Sequence, residues 1–394
     1  MIGIICNYYI KNYGSVLQSF ALQYILDKMA VQNEIICYQE KITKKQRLLI
    51  LVKIQLKQLR DFEKVKNRYR IAKKKKRDIK HQQIVRERNE IFEQFVKEHL
   101  RYSKAYNTLK ELEQDIGNYG GIILGSDQLW CPSDLIISYH TLEWIPDNIY
   151  TATYATSFGV DQLNKYFRQK IAQFIPKINK VSVREMSAKK LITKVTRKKV
   201  KVVLDPTLLL DKADWDNVFE FEHQIKEPYI FCYFLSNNMQ FKEWAQKLQE
   251  KTGLQIVFIP HLESYDEQNG KFADIELWKL SPKDLINLIR NADYILSDSF
   301  HVTIFSIIYE KKFLVFDRYQ RGAVDSRNTR IDNLLSITGL ERRHYTGTGD
   351  ILTLLAEDLH MEEVLKRLKN YREASLQYLQ EVAEDIEKNE IMEY

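Results

Sequence analysis

The sequence predicts an α/β protein made of two doubly wound, Rossmann-like units that face one another, with a basic helical insertion in the first. Three observations carry this. Short β-branched runs alternate with helix-length apolar-periodic runs in two successive series. Strand after strand ends in polar residues, which places side chains at the carboxyl edge of a sheet, where open α/β folds bind ligands. Finally, from Lys41 to Lys104 there are 22 Lys and Arg against 7 Asp and Glu, while the rest of the chain carries 38 basic and 46 acidic residues. On that balance the net charge of +7 belongs to one segment and not to the folded body.

Length and composition set the frame. A chain of 394 residues holds two units of roughly 150–200 residues. With 44% hydrophobic and 12% aromatic residues it can build full cores, and 13 Gly and 7 Pro exclude fibrous or low-complexity character. Cys6, Cys37, Cys131 and Cys232 make no metal-ligand spacing, so no metal is expected; all but Cys131 sit in apolar strand-like runs, as in a reducing compartment. No basic leader precedes an apolar stretch, and no apolar run has the length of a membrane span, so a cytoplasmic protein is expected.

The first unit is expected to occupy residues 1–210. Ile2 to Cys6 reads as a strand, and NYYIKNYGS leads to a helix over about Val16–Met29, with Gly14-Ser15 as turn and cap. Glu34 to Tyr38 reads as the second strand. The insertion at 41–104 follows. Leu48–Leu59 mixes apolar residues with lysines, Lys73–Lys76 forms a charge cluster, and Ile84 to Leu100 recurs at helical spacing. A solvated helical excursion and a membrane-surface helix over 41–80 both fit; nucleic acid is unlikely, because no recognised binding module accompanies the charge. Contact with the inner face of the cytoplasmic membrane is the functional expectation. The sheet resumes at Gly120–Gly125, then Thr151–Ser157, Val181–Arg184 and Val202–Leu204, delivering Asp127, Ser157 and Arg184 to one edge.

Pro206 to Pro228 reads as a linker with a short acidic helix, and the second unit is expected at 211–360. Its strands are Tyr229–Leu235, Gln255–Pro260, a run at Tyr294–Leu296 and Phe313–Phe316; its helices include Phe241–Thr252 and Ser281–Arg290, the latter opened by Ser-Pro. The stretch from Asn291 to Ile308 is the most informative. A buried strand ends in Ser297-Asp298-Ser299, and a helix opens at Phe300-His301. A helix N-terminus offers amide donors and a partial positive charge to an anion, and histidine is the side chain that exchanges protons near neutral pH. An ordinary cap with a surface histidine fits the same residues. Beyond Phe316, a loop carries Arg318, Arg321, Arg327 and Arg330, whose guanidinium forks suit carboxylate and phosphate if they face a pocket. A helix from about Met361 to Lys388, within a last segment at 361–394, is expected to pack back on the first unit.

Six segments occur in order: NYGSVLQSFALQ (Asn12–Gln23), GSDQLW (Gly125–Trp130), YATSFG (Tyr154–Gly159), SVRE (Ser182–Glu185), LDPTLLL (Leu204–Leu210) and SDSFHVTIFS (Ser297–Ser306). Together they resemble the polysaccharide pyruvyl transferase family, over about Met1 to Leu340. The resemblance implies a GT-B-like fold and transfer of pyruvate from phosphoenolpyruvate, a co-substrate and not a cofactor, to two hydroxyls of a sugar, forming a cyclic ketal. It implies that His301 and Arg184 serve the donor, with Arg321 the best match by spacing for a further basic residue and Arg318 close by. Val302 stands where glycine usually follows the histidine, and Cys131 where asparagine commonly follows the tryptophan.

The residues suit that chemistry. Phosphoenolpyruvate carries a carboxylate and a phosphate of about −1.5 to −2 charge. Arg184, Arg318, Arg321, Arg330 and the Ser299 turn are the expected donor site. His301 is the expected acid, Asp127 the expected base and Asp298 the second candidate. Asn12, Tyr13, Gly14, Gln18, Ser126, Gln128, Trp130 and Phe158 are expected on the acceptor side, where the two aromatics would stack on a sugar or else serve as core. The acceptor that the resemblance implies is a sugar of a cell-surface polysaccharide or of its precursor, lipid-linked or free. Two other readings stand beside this one: a GT-B glycosyltransferase using a nucleotide sugar, and a non-catalytic scaffold of polysaccharide assembly.

Overall fold

The computed structural model describes residues 1–39, 78–132, 135, 138–222, 225–262, 272–319 and 327–392. Most of the expected basic insertion, including Leu48–Leu59, Lys73–Lys76 and Arg77, therefore lies outside the described residues, as does Arg321.

In the first unit, β1 (Ile2–Ile5) leads through a turn to α1 (Tyr13–Lys28) and β2 (Asn33–Ile35). After the undescribed segment come α2 (Ile79–His99) and α3 (Leu109–Asp115), then β3 (Gly121–Leu124), β4 (Tyr150–Thr153), α4 (Lys165–Phe174), β5 (Val181–Val183), α5 (Met186–Val195) and β6 (Val200–Val202). The ladder β2-β1-β3-β4 is parallel, with Ile2 opposite both Asn33 and Gly121. Bridges at Ala152–Lys180 and Thr156–Val183 carry it on to the parallel pair β5-β6. Strands buried on both faces read as unbroken apolar runs, which is why GIIL and IGII alternate so little.

The second unit follows a short helix, α6 (Lys212–Val218). Its elements are β7 (Tyr229–Tyr233), α7 (Met239–Thr252), β8 (Gln255–Phe258), β9 (Ile275–Glu276), α8 (Pro282–Asn291), β10 (Tyr294–Ser297), α9 (Phe300–Ile308), β11 (Lys312–Phe316), α10 (Thr329–Thr338), β12 (His344–Tyr345) and α11 (Ile351–Ala356). The sheet order is β12-β11-β10-β7-β8-β9, all parallel. Counted from β7 this is 3-2-1-4-5-6, the dinucleotide-fold order, with its switch point between β7 and β10. The first unit has its own switch point between β1 and β3. The two crevices open toward each other, so the molecule is two Rossmann-like units arranged GT-B-like.

Helix α1 lies between the units. It packs on α8 and α9 of the second unit and on the Pro206–Leu208 turn of the first, which buries it nearly all round. The last helix, α12 (Met361–Met392), crosses back to the first unit: Tyr378 donates to the Thr153 carbonyl at 2.9 Å, and Ser375 Oγ accepts from Leu204 N at 3.0 Å.

One expectation about charge fails. From Lys165 to Val203 the chain carries 13 Lys and Arg against a single acidic residue, Glu185, so the folded body has a basic region of its own. Averaging over everything outside 41–104 hides it.

Candidate active site

The site lies where the two carboxyl edges meet, around a cavity of about 300 Å³. Its first-unit wall comes from the turn before α1 and the exit of β3. Asn12 caps α1, its Oδ1 accepting from Gly14 N at 3.0 Å and Ser15 N at 3.3 Å. Asp127, past the end of β3, adopts φ +80°, a left-handed backbone that a non-glycine residue takes only when its surroundings enforce it. That turn aims its carboxylate at the α1 terminus, where Ser15 Oγ donates to Oδ2 at 2.6 Å. The sequence reading made Ser15 the cap and no part of the site; the cap is Asn12, and Ser15, in the first turn of α1, reaches Asp127 instead.

The second-unit wall comes from the ends of β7, β10 and α10. Ser299 caps α9, accepting from Val302 N at 3.5 Å. Val302, where a glycine was expected, is fully buried in the core. His301, in the first turn of α9, is buried against the α1 terminus: a Cβ on Gly14 would overlap its imidazole ring. The glycine is therefore required by space. Asp298 spends both carboxylate oxygens on the backbone, accepting from Leu235 N at 2.6 Å and Ser236 N at 2.8 Å, and so ties the two strands of the switch point together.

Beneath the cavity lies a cluster that the sequence only partly foretold. Asp205, just past β6, is fully buried. Its Oδ2 accepts from Arg184 Nη1 at 2.6 Å and Ser126 Oγ at 3.0 Å, and its Oδ1 from Thr207 N and Oγ1 at 3.1 and 2.7 Å. His301 Nε2 stands 3.7 Å from the same Oδ2. Burial alone would raise this carboxyl; His301, Arg184 and Thr207 reverse that and hold it far below the usual range. In sequence, Asp205 reads as the residue before a strand-ending proline. Its signal was the LDP segment, which periodicity leaves unexplained. Asp127 is likewise raised by burial but held net low by Arg184 and His301, so it is an ionised carboxylate at neutral pH. Glu185, bonded by Ser157 Oγ at 2.7 Å, is pushed up by burial.

Two guanidiniums flank the Phe300 ring, Arg184 at 4.5 Å and Arg330 at 5.4 Å from its centroid. They differ in kind. Arg184 lies under the cavity floor, neutralised by Asp205. Arg330 lines the cavity, and it belongs to the first turn of α10, not to the loop that the sequence suggested. It is buried and has no ion-pair partner among the described residues; burial and the nearby Arg184 bring it down to about 10. Arg318 and Arg327 line the same wall, and Asn328 fixes the chain there by donating to the Tyr319 carbonyl at 2.7 Å.

Of the expected acceptor residues, Asn12, Tyr13, Gly14 and Gln128 line the cavity. Gln18 is buried with Nε2 donating to Ser15 O and Ser19 Oγ, and Ser126 is bonded to Asp205. Trp130 and Phe158 are both fully buried with ring centroids 5.3 Å apart, and Trp130 Nε1 donates to the His140 carbonyl at 3.0 Å. They are core, because their neighbour Phe174 and the β3–β4 connection close over them.

No curated protein matches the sequence. Among solved structures, the chain is similar to the UDP-GlcNAc 2-epimerase of Neisseria meningitidis at 9% identity, covering 99% of each chain with a TM-score of 0.48. It is similar to the O-GlcNAc transferase of Thermobaculum terrenum at 12% identity, covering 98% of this chain and 68% of that one with a TM-score of 0.47. Likenesses this distant say nothing about the reaction. The sequence model for polysaccharide pyruvyl transferase, by contrast, matches residues 12–319, a span that contains every side chain of the buried cluster except Arg330, and on that match the chain belongs to the polysaccharide pyruvyl transferase family.

Proposed function

We propose that the chain moves pyruvate from phosphoenolpyruvate onto two hydroxyls of a sugar, as a cyclic ketal. The observation that supports it most is Arg330: a buried guanidinium without an ion-pair partner among the described residues, on a cavity wall shared with His301 and the α9 N-terminus. An unpaired buried cation is costly, and an anionic ligand repays that cost. Arg318 and Arg327 extend the same wall, enough positive charge for a carboxylate and a phosphate together.

The step balances with these residues. His301 gives a proton to the donor's methylene carbon, making a methyl group and leaving the adjacent carbon electrophilic. The first sugar hydroxyl attacks that carbon and its proton passes to Asp127, the ionised carboxylate at the cavity edge. The second hydroxyl displaces inorganic phosphate, which leaves with that hydroxyl's proton, and the ring closes. Asp298, whose two oxygens each accept a backbone N–H, stands second to Asp127 for the base's role. Asp205, 3.7 Å from His301 Nε2, faces the imidazole from below with a negative charge.

Thermal unfolding with ligand tests the donor. At about a hundred times its dissociation constant, phosphoenolpyruvate should stabilise the fold by about 2.7 kcal/mol, whereas nucleotide sugars should do little. A shift with a nucleotide sugar and none with phosphoenolpyruvate would reverse the assignment in favour of a glycosyltransferase. Incubation with a panel of glycosides, read by mass for a gained pyruvate, tests the product. His301→Ala should cut that yield by roughly 10²–10⁴-fold while the protein stays folded.

A further inference from the structure

The basic region between Lys165 and Val203 forms one face of the first unit. Helices α4 and α5 are successive crossovers in a sheet that advances β4-β5-β6, so right-handed connections place both on the same side. They pack on each other, and the edge strand β6 continues the surface. Of the 13 cations, Arg184 is buried at the site, Lys180 pairs with Glu381 and Asp385 at 3.1 and 3.0 Å, and Lys177 stands 3.8 Å from Glu143. The other ten have no carboxylate within ion-pair distance among the described residues. Arg168, Lys190, Lys194, Arg197, Lys199 and Lys201 are exposed. Two apolar side chains stand out among them, Tyr166 at 57% and Met186 at 45% exposure.

Edge lysines alone would be a guard against strand pairing, and Lys199 beside β6 and Lys201 within it serve for that. The charges on α4 and α5 are not on an edge, so the guard does not account for them. A face of one sign attracts an anionic partner. An acidic polymer would need a groove with exposed aromatic faces. The groove here, about 830 Å³, has Tyr150 and Tyr378, but their hydroxyls are committed to Asp385 and the Thr153 carbonyl, and Tyr378 is buried. Its two carboxylates, Glu381 and Asp385, are both taken by Lys180. What remains exposed is cation with interspersed Tyr and Met, the composition that suits an anionic headgroup layer.

We infer that the α4–α5–β6 face docks the protein on an anionic lipid surface. The contact is independent of the segment 41–80 and of the reaction proposed above. Flotation of the full chain with phosphatidylcholine vesicles, with and without phosphatidylglycerol, is the test. The unaltered protein floats only with the anionic vesicles and is released by high salt. Each cation near such a surface contributes about fivefold to partitioning. Replacing Lys190, Lys194, Arg197 and Lys199 by Gln therefore lowers partitioning by about a hundredfold or more, and replacing them by Glu abolishes it. Melting temperature and the response to phosphoenolpyruvate stay as in the parent, since none of the four is near the cavity. Equal flotation with neutral vesicles, or of the Gln variant and its parent, overturns the inference. So does release only when Lys73–Lys76 and Arg77 are neutralised, which would assign the contact to the insertion. Retention on an acidic polysaccharide matrix without vesicle binding overturns it in favour of a polymer.

Discussion

The two arginines beside Phe300 should respond oppositely to substitution. Arg184→Ala strands the buried Asp205 carboxylate, a loss of roughly 3–5 kcal/mol, so its first effect is a lower melting temperature and only then weaker turnover. Arg330→Met removes a buried cation that has no carboxylate within ion-pair distance among the described residues. Its melting temperature should hold or rise, while phosphoenolpyruvate ceases to stabilise the fold. Equal behaviour of the two variants would mean that Arg330 is structural. Asp205 has a pH signature. Its carboxyl is lower in the folded state than the usual 3.9 of the unfolded chain, so it stabilises the fold fully above that value. That contribution is lost as pH falls through the folded-state value. Asp205→Asn should therefore be less stable than the parent at neutral pH, with a gap that narrows only in strong acid. Denaturant midpoints across pH would show it, and a pH-independent gap would remove the charge from the explanation.

At the scale of elements, α1 is both a core helix and a wall of the site, and Gly14 is where the two roles meet. In an open first turn Gly→Ala would stabilise a helix slightly. Here it should cost about 1–3 kcal/mol through overpacking against His301 and displace the imidazole as well. Adding His301→Ala to Gly14→Ala should recover most of that stability, since the alanine then has room. A double-mutant cycle with no coupling would show that the ring and the helix do not press on each other. How much of this was legible differs by element. The strands and the α9 turn could be read because apolar runs ending in polar caps obey local rules. The six ordered segments likewise placed Asn12, Asp127, Arg184 and His301 together. The pairing of Asp205 with Arg184 was not legible, because it joins the exits of two strands through tertiary contact. Trp130 and Phe158 stayed open between sugar platform and core for the same reason: periodicity locates a ring beside a strand and does not say which side is covered. Arg330 looked like part of a loop because Asn328, which gives α10 no side-chain cap, spends its side chain on Tyr319 instead.

For the whole molecule, the site belongs to neither unit. Asp127, Arg184 and Asp205 stand on the first, His301 and Arg330 on the second, and the 3.7 Å between His301 and Asp205 spans them. The chain passes from one unit to the other just beyond Asp205 and returns along α12. A ligand held by both walls therefore works on the angle between them. Linkage makes that relation reciprocal: the factor by which a bound donor shifts the molecule toward closure equals the factor by which closure tightens donor binding. Phosphoenolpyruvate should thus reduce the radius of gyration measured by small-angle scattering, and Arg330→Met should abolish the change. An unchanged radius with clear thermal stabilisation would mean that the cleft is already shut without ligand. Because His301 and Asp127, the proposed acid and base, stand on opposite units, opening the cleft does more than release product. It separates the proposed proton donor from the proposed proton acceptor, which disfavours loss of a bound donor to water while the molecule is open.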